Sequence, residues 1–502
     1  MSAKRIILGL LTLLAVGRVL LSLGGSLAEP QIQSRLELYQ TNLVLYASEF
    51  EGATENSELN EVINKGLGDN PLGAATKQYK KARTEAVEVR DTFQKQLATE
   101  VATPRQQLKT QVSELDRFVD EIDLKRGVLA AEQGDTAKAE SIWQDLVMRV
   151  DDAEDEYSLT ATVLQQVWQE QASLDSSAEN VVKDNLDSWF RDRTLTKLYQ
   201  VQDNQAELVS LTTQQQEAAS GAIVKLAFIS AIPFAGGFAG FILLLFLIGQ
   251  LLVKKDSSIL ATNSNTGWST PWDWEITWQV IIVGFFFVGQ FVLPLMLGLL
   301  GINVAESGLR IKALYVMFTY ILMAAGGIAV LYFSVRSYLP LPEEWFKLKF
   351  WDKWFVWGFG GYLVAIPCVL LVSLINQQIW NGQGGSNPLL YLALQAQDKV
   401  ALTIFFSTAS LAAPLFEELI FRGLLLPSLT RYFSVTVSII LSGLLFAVAH
   451  LSLAEVLPLA TLGIILGFVY TRSRNLLAPM LLHSLWNSGT LLSLFVLGSG
   501  VK

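Results

Sequence analysis

The sequence predicts an all-α protein: a polytopic membrane helical bundle of about eight or nine spans with an N-terminal soluble helical domain. Three observations predict it. Hydrophobic side chains make up 51% of the 502 residues, and mean hydropathy is +0.38. Charge is divided unequally. Residues 28–219 hold 35 of the 46 acids and 19 of the 37 bases, a net −16, so the net −9 of the chain leaves +7 for the rest. Apart from one such run near the N-terminus, apolar runs of the roughly 20 residues that a membrane helix needs are concentrated after Gly221. An acidic soluble part is thus joined to a basic, apolar one, and a −16 domain argues against a nucleic-acid partner.

Residues 1–27 begin with Lys4-Arg5 and continue apolar from Ile6 to Leu27, with Arg18 the one charge in the run. This reads as a signal anchor or a signal peptide, the small residues from Gly24 to Ala28 suiting cleavage. Residues 28–219 are rich in Gln, Glu, Ala, Lys and Leu and poor in Gly and Pro, which favours helix. Apolar residues recur three and four apart, as in Leu108, Val112, Leu115, Phe118, Val119 and Ile122. The expectation is a non-cytoplasmic helical domain. Within it, Gly127 to Trp143 reads as half of a tetratricopeptide-like repeat, or as a helix–turn–helix of no special type. The turn is at Gly134-Asp135 and Ala139 is at the close crossing. Asp187 to Tyr199 reads as a docking helix or as core.

Spans are expected near 226–253, 277–301, 313–335, 354–376, 399–420, 433–452, 455–471 and 476–498. Residues 220–390 then form additional transmembrane helices ahead of a core at 391–498. Basic residues at Lys254-Lys255, Arg336 to Lys353, Arg422 with Arg431, and Arg472 with Arg474 follow alternate spans. This orients the acidic domain away from the cytoplasm. Trp272, Trp274, Trp345, Trp351 and Trp354 stand at span edges, as an aromatic belt would. Gly236-xxx-Gly240 and Gly463-xxx-Gly467 suit close helix packing.

Ionisable groups at membrane depth are costly and mark functional sites by default. Pro414-Leu-Phe-Glu417-Glu418-Leu-Ile-Phe-Arg422 sets two carboxylates and a guanidinium in an apolar run. Glu418 and Arg422, four apart on one helix face, form a structural pair. Glu417 is turned about 100° away on a helix of 3.6 residues per turn and is free for proton transfer. Pro414 can kink the helix at that level. The chain has two histidines, and both lie in the apolar runs that follow. Phe446 and His450 share a face, as do His483 and Asn487. Imidazole and amide can both donate to a developing oxyanion. The implied set is a base, Glu417 helped by His450, that activates water opposite two donors, His483 and Asn487. It would hydrolyse an amide without a covalent intermediate. One tension accompanies this set. At 1.5 Å per residue, Glu417 lies about 27 Å down its span while His450 lies near the opposite face, unless residues 419–432 fold back or the helix bearing His450 is tilted or starts late.

Glu417-Glu418-xxx-Arg422, Phe446-xxx-His450 and His483-xxx-Asn487, in this order, resemble the three signature motifs of the CAAX-protease and bacteriocin-processing (CPBP) family. That family includes the type II CAAX prenyl endopeptidases. The resemblance covers roughly residues 395–495 and implies an intramembrane endopeptidase with Glu417, His450, His483 and Asn487 catalytic. Glu418, Arg422 and Phe446 would support them. It implies either a metal-free glutamate mechanism or a metalloprotease. Two His and a Glu could hold Zn2+, but no His-Glu-xx-His motif is present. The expected partners are a membrane-associated peptide or protein substrate, membrane lipid, and a protein bound by the acidic domain. The rival reading is a non-proteolytic assembly, scaffold or immunity protein that uses the polar cluster structurally.

Overall fold

The computed structural model describes residues 3–27, 33–51, 66–99, 104–150, 152, 154–171, 177–302, 304, 307–380, 384–386, 390 and 398–498. Among the described residues there is no strand. The helices are α1 Ala3–Ser26, α2 Gln33–Ala47, α3 Pro71–Thr99, α4 Pro104–Glu132, α5 Thr136–Arg149, α6 Glu156–Trp168, α7 Ala178–Asn185, α8 Ser188–Val201 and α9 Gln205–Lys254. They continue as α10 Trp274–Leu299, α11 Leu309–Val335, α12 Trp354–Trp380, α13 Lys399–Leu429, α14 Val435–Val448, α15 Val456–Ser473 and α16 Leu477–Gly498. The chain packs as two compact units, Pro30–Ala231 and Met1–Glu29 with Ile232–Gly498. The expected boundaries at 27/28 and 390/391 adjoin residues 28–32 and 391–397, outside the described residues.

In the first unit the Gly134-Asp135 turn joins α4 to α5. Gly134 takes φ +83°, which favours glycine, and the Asp135 side chain caps α5 by accepting from the Lys138 N–H at 3.2 Å. Ala139 is buried, and Gly127 of α4 also lies close against α5. A Cβ on Gly127 would stand 2.0 Å from the Trp143 indole nitrogen, which donates to the Leu124 carbonyl at 3.2 Å. Helix α8 buries Trp189, Phe190, Leu195 and Leu198, so the expected docking-or-core helix is core. Asp123 is clamped by three arginines. Arg83 grips it in bidentate fashion at 2.6 and 3.0 Å, Arg126 reaches it at 2.6 Å and Arg149 at 3.0 Å.

The second unit is an integral multi-pass membrane bundle. Eight helices of the described chain are long and apolar enough to span; the ninth apolar helix, α14, has 14 residues. Helix α1 packs against α10. Lys4 and Arg5 meet Glu275 at 3.1 and 2.9 Å, and the Trp278 indole donates to Thr12 at 2.9 Å. In α12, Pro367 has no N–H to give the Leu363 carbonyl. Gly240 of α9 lies against that oxygen, so close that a Cβ would approach it to 1.8 Å. Gly463 similarly meets Gly443, where α14 crosses α15.

Three expectations are corrected. The helix bearing Glu417 runs to Leu429 rather than ending near residue 420, and α14 is short. The depth tension dissolves without any fold-back, because residues 419–429 continue one rod. Trp272 and Trp345 are not belt residues; they are buried, with ring centroids 4.3 Å apart, and donate to Ser428 and the Ser269 carbonyl. They serve to seal the segments that connect spans at one end of the bundle. There Arg472 reaches the Leu260 carbonyl, Arg431 the Trp272 carbonyl, and Leu476 N–H the Lys347 carbonyl. Arg422 does not belong with those end charges, since it is fully buried inside the bundle.

Candidate active site

Helix α13 carries the acidic pair and is not a regular α-helix. It starts at Asp398, whose carboxylate accepts from the Val400 and Ala401 N–H groups at 2.8 and 3.1 Å. It then opens into π turns at Thr408–Ala412 and Leu419–Leu425, either side of Ala413–Glu418. Wide turns of this kind are frequent at functional sites. Pro414 explains the first. It has no N–H, so the helix is one donor short for the carbonyls a turn before it. Side chains of α16 replace that donor: Asn487 donates to the Ala409 carbonyl at 2.7 Å and Ser484 to the Ser410 carbonyl at 2.5 Å.

Glu418 is fully buried. Its Oε1 accepts from Arg422 Nη1 at 2.7 Å and from His483 Nδ1 at 2.8 Å. Arg422 spends a second donor on the Gly463 carbonyl at 2.9 Å, and its guanidinium lies 4.5 Å over the Phe446 ring. The pair expected from four-residue spacing is therefore present and extends into a three-helix network. It also fixes the tautomer of His483. A carboxylate paired with arginine only accepts, so Nδ1 holds a proton, and in the neutral tautomer that this selects Nε2 presents a lone pair.

That Nε2 lies 4.0 Å from Oε2 of Glu417. The separation is too long for a hydrogen bond and suits one water, about 2.8 Å from each. The other oxygen of Glu417, Oε1, accepts from the Tyr320 hydroxyl at 2.9 Å. Phe446 forms one wall, edge-on to His450 and His483 with ring centroids at 4.8 and 5.6 Å. His450 Nδ1 is 2.8 Å from the Phe446 carbonyl, so its Nε2 is likewise the open nitrogen.

Glu417, Glu418, Arg422, Phe446, His450 and His483 thus share one cluster, with Asn487 one turn along α16. Two pairings differ from expectation. The imidazole beside Glu417 is that of His483, not His450, and one amide hydrogen of Asn487 is committed to Ala409. Sequence reasoning missed Tyr320, Ser484 and the Gly463 carbonyl. A tyrosine within an apolar span did signal that a hydroxyl needed a partner; which partner is a matter of tertiary packing. Among the described residues no group of three or more His, Cys, Asp or Glu is placed to hold a metal ion.

Residues 399–489 match the family model described as Type II CAAX prenyl endopeptidase Rce1-like. That stretch contains all three motifs, and the resemblance drawn from them stands. The chain is 25% identical over 219 residues to the membrane-embedded CAAX protease MroQ of Staphylococcus aureus (strain USA300), covering 42% of this chain and 86% of that protein. It is 23% identical over 133 residues to the putative membrane peptidase YdiL of Bacillus subtilis (strain 168), covering 26% of this chain and about half (53%) of that protein. No solved structure matches significantly.

Proposed function

We propose that this protein is an intramembrane endopeptidase that hydrolyses a peptide bond of a membrane-associated substrate through a carboxylate-activated water. The observation that carries the reading is the 4.0 Å gap between Glu417 Oε2 and His483 Nε2. Both are acceptors, so a water between them donates one hydrogen to each and turns its lone pairs outward. Glu417 takes one proton as the oxygen attacks the carbonyl carbon. The new C–O bond sends the carbonyl π electrons to oxygen. When the C–N bond breaks, the proton on Glu417 passes to the departing amine. Glu417 ends as a carboxylate, and no covalent enzyme intermediate forms.

His483 orients the water in this scheme, and its proton-bearing Nδ1 is held by Glu418. The second amide hydrogen of Asn487 is a donor for the oxyanion. His450, against the same Phe446 ring as His483, is the second imidazole of the set. Residues 391–498 are then the CPBP-like core, preceded by additional transmembrane helices at 220–390. Residues 28–219 form a non-cytoplasmic domain whose acidic surface suits a protein partner. The relative named as a CAAX protease and the matching family model make a prenylated C-terminus one candidate substrate class.

The test needs no prior substrate. Peptide termini in membranes carrying wild type are compared with those carrying Glu417→Gln or His450→Ala at matched abundance. Removing the base should slow cleavage about 10²- to 10⁴-fold, so a set of termini disappears with Glu417→Gln; loss of the same set with His450→Ala would bring the second imidazole into the chemistry. Identical termini in all three membranes would return the cluster to a structural role and support the scaffold reading.

A further inference from the structure

We infer that Tyr320, on α11 and outside the stretch that matches the family model, is a positioning residue of the hydrolytic site that selects which oxygen of Glu417 acts as the base. This rests on the reading of Glu417 given above. A carboxylate has two chemically equal oxygens, and the torsion that exchanges them is broad and roughly two-fold. Left unanchored, Glu417 would present either oxygen over a range of planes. The Tyr320 hydroxyl, donating to Oε1 at 2.9 Å, removes that freedom and leaves Oε2 facing His483 Nε2.

The donor is itself held. Tyr320 and Gly327 are seven residues apart and so share a face of α11. Both meet Phe416, the neighbour of Glu417 on α13. The Tyr320 ring stands edge-on to Phe416 with centroids 6.3 Å apart, and a Cβ on Gly327 would come within 2.7 Å of the tip of the Phe416 ring. Phe285 of α10 stacks on Phe416 from a further side at 6.0 Å. Tyrosine has only two side-chain torsions, so a wedged ring delivers its hydroxyl to a defined point. Tyr320 is also 11 residues along Leu309–Val335, about 17 Å from its start, where water does not satisfy a hydroxyl. The helices before the motif-bearing segment therefore complete the site as well as surround it.

The experiment uses full-length protein in proteoliposomes. The probe is an internally quenched peptide spanning a bond that is cut in wild-type membranes and uncut in Glu417→Gln membranes. Tyr320→Phe keeps the ring on Phe416 and removes only the O–H. It should insert and melt like wild type, with kcat lowered about 10- to 100-fold and KM within about twofold, the range expected for losing one aligned group at a base. Thr319→Ala is the control; its hydroxyl bonds the Tyr315 carbonyl at 2.8 Å on the same helix, and its kcat should not change. A Tyr320→Phe kcat within twofold of wild type overturns the inference. So does a rise in KM alone, which would make Tyr320 a substrate contact, or an equal fall in the control. If no bond distinguishes wild type from Glu417→Gln, the underlying reading fails instead, before Tyr320 is tested.

Discussion

In the proposed mechanism the adjacent residues Glu417 and Glu418 have opposite duties, and the difference lies in what each carboxylate touches. Glu418 meets a guanidinium and an imidazole N–H and is fully buried; Glu417 meets a hydroxyl and an open imidazole nitrogen, with 13% of its side chain exposed. Stability and activity should therefore separate. Arg422→Met leaves Glu418 buried without its cation, which costs about 3–5 kcal/mol. It should appear as a lower melting temperature in detergent and reduced membrane abundance. Glu417→Gln keeps an oxygen for the Tyr320 hydroxyl and should change stability by less than about 1 kcal/mol while abolishing cleavage. Equal melting of the Arg422→Met variant and wild type would remove the structural role of the pair. The Glu418–Arg422 pair was legible in sequence, because four-residue spacing on a helix fixes proximity. The Tyr320–Glu417 pair, 97 residues apart, was not, because no local rule brings those side chains together.

Helix α13 shows how a proline can be accommodated at membrane depth by a neighbouring helix. Pro414 was readable as a point where the helix loosens, and a π turn does lie just before it. The response was not readable: a π turn has no residue signature, and the donors that repair the carbonyls come from α16. The same limit affected the span borders, since an apolar sequence does not reveal that the rod continues through Leu419–Leu425 to Leu429. If the repair account is right, Ser484 and Pro414 are energetically coupled. Ser484→Ala alone should cost about 1 kcal/mol, the worth of one buried hydrogen bond. In a Pro414→Ala background the restored N–H can serve the Ser410 carbonyl, and the cost of Ser484→Ala should shrink by at least about 0.5 kcal/mol. Chemical denaturation in mixed micelles, run as a double-mutant cycle, gives the coupling. Additive costs would mean that Ser484 holds α13 and α16 together for another reason.

At the scale of the whole chain, the division into an acidic helical part and an apolar bundle was visible because charge and hydropathy are summed properties that tolerate local error. What they could not reveal is where the acidic part keeps its charges. Several of its carboxylates are buried, and they divide into two groups with opposite pH behaviour. Burial pushes Glu49, Glu85 and Asp120 above their ordinary values of 4.5, 4.5 and 3.8, with arginine or lysine partners only partly offsetting it. Burial acts the same way on Asp123, but Arg83 and Arg126 more than offset it and hold the carboxyl below 3.8. A raised carboxyl binds its proton more readily when folded, so it adds stability as pH falls through its folded value. A depressed carboxyl contributes stability above its unfolded value and loses it as pH falls through its folded value. The helical unit should therefore gain stability from neutral pH down towards 4.5 and lose it steeply below 3.8. Amide exchange of α4 and α5 in the full-length protein, corrected for the intrinsic pH dependence, measures this directly. Asp123→Asn leaves three arginines facing a neutral amide, with the side chain only 4% exposed. It should lower stability at pH 7 by about 3 kcal/mol and flatten the acid limb. Protection that declines steadily from pH 7 to 4.5, or survives unchanged at pH 3, would show that the buried carboxylates do not control the stability of this unit.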